Sequence, residues 1–427
     1  MVEARQPSLW ADTCAEVVSA TPFSADRHVD LAVIGGGFTG TAAALEARRL
    51  GASVAVLEAR TIGHGGSGRN AGLVNAGLWL PPEEVVKALG EGPGMRLLDA
   101  LSAGPEAVFG LIKRHGIDCE ATRNGTLHLA HSPAGLRNLQ DRCRQGQQIG
   151  APVRVLSAEE TAKRTGTPVF FGALLDPRAG TIQPLSYCRG LARAAASAGA
   201  QIHDHSMVSS VTQSGGGWTI ACNGYSLRAG AVLLATNAYH EGLPAPFRPQ
   251  FVPVSYSQFA TAPLPEALRA RILAGGEGCW DTALVMSSFR IDGSGRMIVG
   301  GMGNADGPGG GVHHAWARRK LRKVYPELAD IPLVHAWRGK IAMTSDHIPK
   351  VVSFGPSALA VFGYSGRGIS PGTVFGTAAA AALLGGQTEA LPLSVVESYK
   401  ERFTLPRGAY YEAGATLTHA LRPTPFF

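Results

Sequence analysis

The chain has 427 residues, 45% hydrophobic and 17% charged, which is the composition of a folded protein of about two domains rather than of a disordered one. Its net charge of +7 is spread out, and the densest cluster (Arg318, Arg319, Lys320, Arg322, Lys323) falls on one amphipathic stretch, so we expect a solvated helix face, no nucleic-acid partner and an attraction for acidic small molecules. No apolar run nears the roughly 20 residues of a membrane span, residues 1–27 lack the apolar core of a signal peptide, and six scattered cysteines form neither CxxC nor metal-ligand spacing; the expectation is a cytoplasmic protein without a metal site.

In chain order, residues 1–27 read as an irregular lead segment. Residues 28–34 are an apolar run of strand length that ends in glycines. A helix follows over 40–50, with Ala42, Ala43, Leu45 and Ala47 as a small-residue face, and 53–58 is a second buried strand. Together they form a βαβ unit whose uninterrupted apolar strands require both sheet faces to be covered. Residues 83–144 have the pattern of longer amphipathic helices, with a strand at 126–130. A helix over 185–199 leads to strands at 201–205 and 208–211, a hairpin through 215–217 to 218–221, and a buried strand at 231–235. From 250 to 345, strands alternate with glycine-rich turns, including 289–291 and 296–299 around Asp292-Gly293. A last strand at 359–362 precedes a glycine turn and an alanine-rich helix. The α/β pattern is interrupted twice and resumes twice, which predicts a discontinuous nucleotide domain with a second domain built from its insertions.

Gly35, Gly37 and Gly40 form G-x-G-x-x-G between the first strand and its helix. The first permits the turn, the second lets backbone approach a pyrophosphate, and the third lets the helix pack on the strand. The helix N-terminus then presents N–H groups and partial positive charge to the phosphates. Glu58 ends the second strand where a carboxylate can accept hydrogen bonds from a ribose diol, which disfavours a ribose phosphate there. The fingerprint leaves NAD and FAD both open. A glycine-rich loop, residues 61–73 (TIGHGGSGRNAGL), comes directly after the ribose acid and would let backbone run along the larger cofactor.

The stretch 30–73 resembles the FAD-binding region of the D-amino-acid oxidase superfamily, which includes glycine, sarcosine and γ-glutamylputrescine oxidases, the last being the most similar. The resemblance recurs at residues 235–239 (ATNAY), at Trp337-Arg338-Gly339 with Thr344-Ser345-Asp346 and Pro349, and at residues 363–368 (GYSGRG). It implies an α/β protein: a discontinuous Rossmann-like FAD-binding domain (28–85, 155–247, 342–390) and a second α+β substrate domain (86–154, 248–341), a mixed sheet flanked by helices, with a C-terminal segment 391–427. It also implies that Gly35, Gly36, Gly37, Phe38, Thr39 and Gly40 line the pyrophosphate, and that Glu58, Ala59 and Arg60 bind the adenosine side. Gly66, Ser67, Gly68, Arg69, Asn70, Ala71, Gly72 and Leu73 run beside pyrophosphate and flavin, and Val208 offers backbone to the adenine. Ala235, Thr236, Asn237 and Gly339 lie near the cofactor, and Gly363, Gly366, Arg367, Gly368 and Ile369 face the pyrimidine edge. The helix starting at Ile369 would aim its N–H groups at the N1–O2 region of the reduced ring.

Two departures from the family bear on cofactor and substrate. Gly339-Lys340 stands where sarcosine oxidases carry a flavin-linked cysteine, and His64 does not align with the position of a covalent histidine, so we expect non-covalent FAD. Arg367 replaces the usual histidine of the glycine turn, and Ser370 replaces a carboxylate-binding lysine, which argues against sarcosine. Among charged candidates (Arg290, Arg296, Arg338, Lys340), Arg290 is placed to fork onto a substrate carboxylate. Lys340 would promote the reaction with O2, and Tyr256 and Tyr364 would shape the substrate pocket. His203/His205 and His313/His314 read as non-metal pairs. The resemblance implies hydride transfer from the carbon of a C–N bond in an amine or amino acid to flavin N5, with O2 or another acceptor reoxidising the flavin. A same-fold enzyme acting on a C–O bond, and a non-catalytic nucleotide sensor, remain as alternatives.

Overall fold

The computed structural model describes residues 8–243 and 247–421. Two large sheets organise them. In the first, strands run in the order Lys350–Gly355, Ala358–Phe362, Tyr225–Leu234, Arg27–Ile34, Val54–Leu57, Gln201–His203. From Ala358–Phe362 onward the neighbours are parallel, and only Lys350–Gly355 pairs antiparallel. The apolar runs read from the sequence are the centre of this sheet because each is buried on both faces. Leu31, Val33, Val54, Val56, Ala231 and Leu233 face one core, which holds Ala43, Leu191 and Phe375 from three covering helices, Phe38–Arg49, Pro184–Ser197 and Ile369–Gly385. Their neighbours Ala32, Ile34, Ala55, Leu57, Val232 and Leu234 face another, closed by Trp218 and Ile220 of the predicted hairpin. Alternation along the strand assigns each side chain to a face.

The second sheet runs Leu333–Met343, Val252–Pro263, Arg296–Met302, Ser287–Ile291, Gly278–Asp281, Thr126–Leu129, Ala173–Asp176, Arg154–Leu156. It is antiparallel apart from the pairing of Gly278–Asp281 with Thr126–Leu129. The Gly310–Val324 helix packs Ala317, Leu321 and Val324 onto it, while Arg318, Arg322 and Lys323 face solvent and Lys320 turns inward. The strands at 154–156 and 173–176 belong to this sheet, so sheet membership changes later in the chain than residue 155.

The lead segment is more ordered than its composition suggested. Ser8 caps a short helix, Leu9–Asp12, by accepting from the Ala11 N–H. Leu9 and Trp10 are fully buried against Leu185, Ala260, Ile298 and Trp337. Two apolar residues without a period give no signal in sequence, and only the hollow between the sheets makes them core. Among the described residues, no helix is long and apolar enough to cross a membrane.

Candidate active site

A continuous cavity of about 630 Å³ lies at the carboxyl ends of the parallel strands and extends beneath the second sheet. At one end the walls are backbone. Gly35 takes φ +110°, and a Cβ there would lie 2.8 Å from the Ala235 carbonyl oxygen. A Cβ on Gly40 would lie 1.9 Å from the Gly35 carbonyl oxygen, so the helix can sit this close to the strand only with glycine. Ser67 Oγ accepts from the Phe38 N–H at 3.0 Å and ties the following loop to the helix start. Glu58 accepts from the backbone N–H groups of Gly36 at 2.7 Å and Arg60 at 3.0 Å. Burial pushes its carboxyl up, and these two donors counter that in part.

The loop after the ribose-side acid is held from behind by its own carbonyls. Ser8 Oγ donates to Gly68 (2.9 Å), Trp337 Nε1 to Arg69 (3.2 Å) and Trp10 Nε1 to Asn70 (2.8 Å). Arg290 Nη1 donates to Ala71 and Gly72 (3.5 and 3.2 Å) and to Ile182 (2.5 Å). Five successive carbonyls thus accept from outside the loop. Asn70 braces it internally, donating to Gly66 and Ser67 and accepting from the Gly72 N–H. An elongated dinucleotide fits what is left: glycine backbone for the phosphates, a buried carboxyl for a ribose, and a helix N-terminus between them.

Most residues assigned from the sequence border this cavity: Gly35, Gly37, Phe38, Thr39, Glu58, Ala59, Arg60, Gly66, Ser67, Arg69, Asn70, Ala71, Leu73, Val208, Ala235, Thr236, Asn237, Gly339, Gly366, Arg367, Gly368, Ile369, with Lys340, Tyr256 and Tyr364. Gly40, Gly68, Gly72 and Gly363 stand behind the wall. A Cβ on Gly68 would meet the Gly63 carbonyl oxygen at 2.5 Å, and one on Gly72 would meet Arg290 Nη1 at 2.2 Å. Gly363 donates its N–H to Asn237 Oδ1 at 3.0 Å.

The expectation for Arg290 needs correcting. It does not border the cavity: its Nη1 is spent on the loop carbonyls of Ala71 and Gly72 and on the Ile182 carbonyl, and its guanidinium lies 5.3 Å from the Trp10 ring. It holds the loop and is not placed to meet a substrate. Arg296 and Arg338 are engaged elsewhere, by Asp292 at 3.1 Å and Asp306 at 3.2 Å.

Beyond the cradle the cavity opens into a chamber walled by side chains. Tyr256 donates to Ser288 Oγ at 2.9 Å, and Tyr364 shares a 2.7 Å hydrogen bond with Thr39. Burial pushes both phenols well above their ordinary range, so they stay protonated. His128 stacks on Trp280 with ring centres 5.1 Å apart, and burial followed by the charge of Arg142 lowers its pKa to about 3. Trp79 meets Trp280 edge-on at 6.3 Å. None of Trp10, Trp79, His128, Arg142 and Trp280 was singled out from the sequence. The available signal was composition, because four of the chain's six tryptophans (10, 79, 280, 337) gather at this site.

A parallel nucleotide-binding sheet whose glycine cradle continues into a chamber under a second sheet defines a flavin-dependent oxidoreductase. Residues 30–382 match the model of the FAD dependent oxidoreductase (DAO) family. The chain is 31% identical over 370 residues to a probable oxidoreductase OrdL of Rhizobium meliloti, covering 85% of each. It is 26% identical over 351 residues to the gamma-glutamylputrescine oxidoreductase of Escherichia coli, covering 80% of each. Among solved structures it superposes on glycine oxidase from Geobacillus kaustophilus with TM-score 0.71 at 22% identity, over 87% of this chain and 100% of that one. The chain belongs to the DAO family of FAD-dependent oxidoreductases, and FAD is its cofactor.

Proposed function

We propose that this chain oxidises the C–N bond of an amine or amino acid to an imine, which water then hydrolyses. The observation that carries the reading is the continuity of the cavity, which lets a substrate carbon in the chamber lie against a flavin ring held in the cradle. Relatives named for γ-glutamylputrescine and for glycine support an amine over a C–O substrate. FAD supplies the hydride acceptor when bound.

The chain's own part is to position the substrate, exclude water and set the protonation state. Tyr256 and Tyr364 keep their protons, and His128 stays neutral, so none of these three takes a proton from an ammonium near neutral pH. On this reading the amine reacts as the free base. Arg142 and Arg367 on the chamber wall favour that form, since positive neighbours disfavour an ammonium. Turnover under limiting substrate should rise with pH as the substrate amine deprotonates, without an inflection from His128. Lys340, whose ammonium lies 5.7 Å from the Tyr239 ring at the cavity wall, is the group we assign to promoting reoxidation by O2. In Lys340→Met, oxidation of the reduced flavin by O2 should slow while reduction by substrate is retained. FAD should be held non-covalently and released into the supernatant on acid precipitation.

The test is anaerobic bleaching of the flavin's visible band by a panel of polyamines, γ-glutamyl amines, N-methyl amino acids and D- and L-amino acids. Hydroxy acids and polyol phosphates form the opposing arm. Bleaching by at least one amine supports the reading, whereas bleaching only by C–O compounds overturns it.

A further inference from the structure

The Thr404–Ala420 helix carries its polarity reversed. Its only residues of the types Asp, Glu, Lys, Arg and His are Arg407, Glu412 and His419, and all three engage the body of the protein. Arg407 pairs with Glu401 and donates to Ser345 Oγ at 2.9 Å. Glu412 accepts from the Asn304 N–H at 2.9 Å and meets His313 Nε2 at 3.2 Å. His419 is 1% exposed; its Nδ1 shares a 2.8 Å hydrogen bond with His313 Nδ1, and its ring stacks on Trp316 with centres 4.0 Å apart. A helix on the surface of a monomer buries its apolar stripe and leaves its charges in water. This one does the reverse.

The outward face is apolar from end to end: the exposed positions between 405 and 421 hold no charged residue. Phe403, just ahead of the helix at φ +51°, is 75% exposed, and Leu405, Tyr410, Leu417 and Leu421 are 61–74% exposed. Together these five side chains leave on the order of 700 Å² in water, above the roughly 300–600 Å² of the largest patch on a typical monomer. It is close to the roughly 800 Å² that each partner of a stable complex buries, and an interface core is depleted of charge in the same way.

The order of residues along this face is complementary to itself. With two copies of the helix antiparallel about a twofold axis, Ala413 meets Gly414, Tyr410 meets Leu417 and Pro406 meets Leu421, each pairing occurring twice. Small residues at the centre let the axes approach to about 8 Å, and the bulky side chains on either side fill the ends. An anionic membrane surface is a poorer match, because helices that lie on one carry a polar face rich in Lys and Arg. This helix has a single arginine, already paired with Glu401.

We infer that a second copy of this chain covers the outward face of the Thr404–Ala420 helix, the two helices lying antiparallel across a twofold axis.

The experiment follows the mass of the FAD-loaded enzyme by sedimentation equilibrium from about 0.1 to 50 μM, the range in which an interface of this size is expected to dissociate. The wild type should have the mass of two chains. Leu417→Glu and Tyr410→Glu each place a carboxylate in the contact twice, once from each copy, and should weaken the dimer by roughly 100-fold or more. Both side chains are exposed in the single chain, so flavin content should stay at the wild-type value, and Leu417→Met should remain a dimer. On mild oxidation Ala413→Cys should cross-link to its counterpart. Leu405→Cys should not, since antiparallel helices hold the two copies of that position about 25 Å apart. A wild-type enzyme of single-chain mass throughout overturns the inference, as does a Leu417→Glu dimer as tight as wild type or cross-linking through Leu405→Cys in preference to Ala413→Cys. A single-chain enzyme that sediments with anionic vesicles, and no longer does so in Leu417→Glu, would assign the face to a membrane instead. One that dimerises only after residues 422–427 are removed would assign it to the chain's own end.

Discussion

At the cradle end of the cavity the walls are backbone, drawn from strand ends, one helix start and one loop. Those peptide groups are braced from behind, so that Gly35, Gly37 and residues 69–71 present a fixed surface. At the chamber end the walls are side chains from a helix at 133–148, from strands of the second sheet and from the turn at 363–368. There three buried groups stand without a hydrogen-bond partner among the described residues: Arg367 Nε, Trp280 Nε1 and the side-chain amide of Gln258. Recognition of a constant cofactor uses groups every peptide has, and recognition of a particular substrate uses groups that carry a standing cost until it arrives. Substitutions in the cradle should therefore cost stability and FAD together, while those in the chamber should spare both.

The sharpest challenge to this contrast is Trp10→Ala. Trp10 is fully buried, and its truncation should cost about 3–5 kcal/mol and loosen the loop whose Asn70 carbonyl it holds. Thermal melting with and without added FAD would show it, and a variant that melts as wild type and keeps its flavin would mean that the loop needs no brace. Trp10→Phe, which loses the N–H together with one ring of the indole but keeps part of the packing, should cost less than Trp10→Ala, about 2–3 kcal/mol.

Gly40→Ala comes next. Its methyl would collide with a backbone oxygen rather than with a flexible side chain, so we expect about 1–3 kcal/mol of strain and purification without flavin. A yellow Gly40→Ala protein with the wild-type melting temperature would break the comparison on the cradle side.

On the chamber side, His128 is held neutral down to about pH 3, against an ordinary histidine pKa of 6.5. The unfolded chain takes up the proton first as pH falls, so this contribution to stability is whole above about 6.5 and is lost progressively below it, by up to about 1.4 kcal/mol per pH unit. Denaturant midpoints between pH 7 and 4 should fall less steeply in His128→Phe than in wild type, and parallel slopes would count against the assignment. The smallest effect is expected from Arg367→Met. Losing a desolvated charge offsets much of the lost stacking, and the change should stay under about 1 kcal/mol. A melting loss as large as that of Gly40→Ala would show that Arg367 is structural.

The cradle was legible because it is local. Gly35, Gly37, Gly40 and Glu58 fall within one βαβ unit, and the loop through Leu73 follows directly. Arg290 was misread because its strand was correct but its side-chain partners, the carbonyls of residues 71, 72 and 182, lie far away in sequence. Trp10 sat in a segment with no periodicity to read.

The sequence by itself determined the dinucleotide cradle, the βαβ unit that holds it and, through the resemblance, the flavin. Such features depend on turn geometry and hydrophobic period, which are properties of neighbouring residues. The tertiary structure alone decided which carbonyls the lead helix holds and that Arg290 faces the loop. It also decided that Arg142 and Arg367, more than two hundred residues apart, both pack around Trp79. Those outcomes depend on where two sheets meet, and no local pattern encodes that distance.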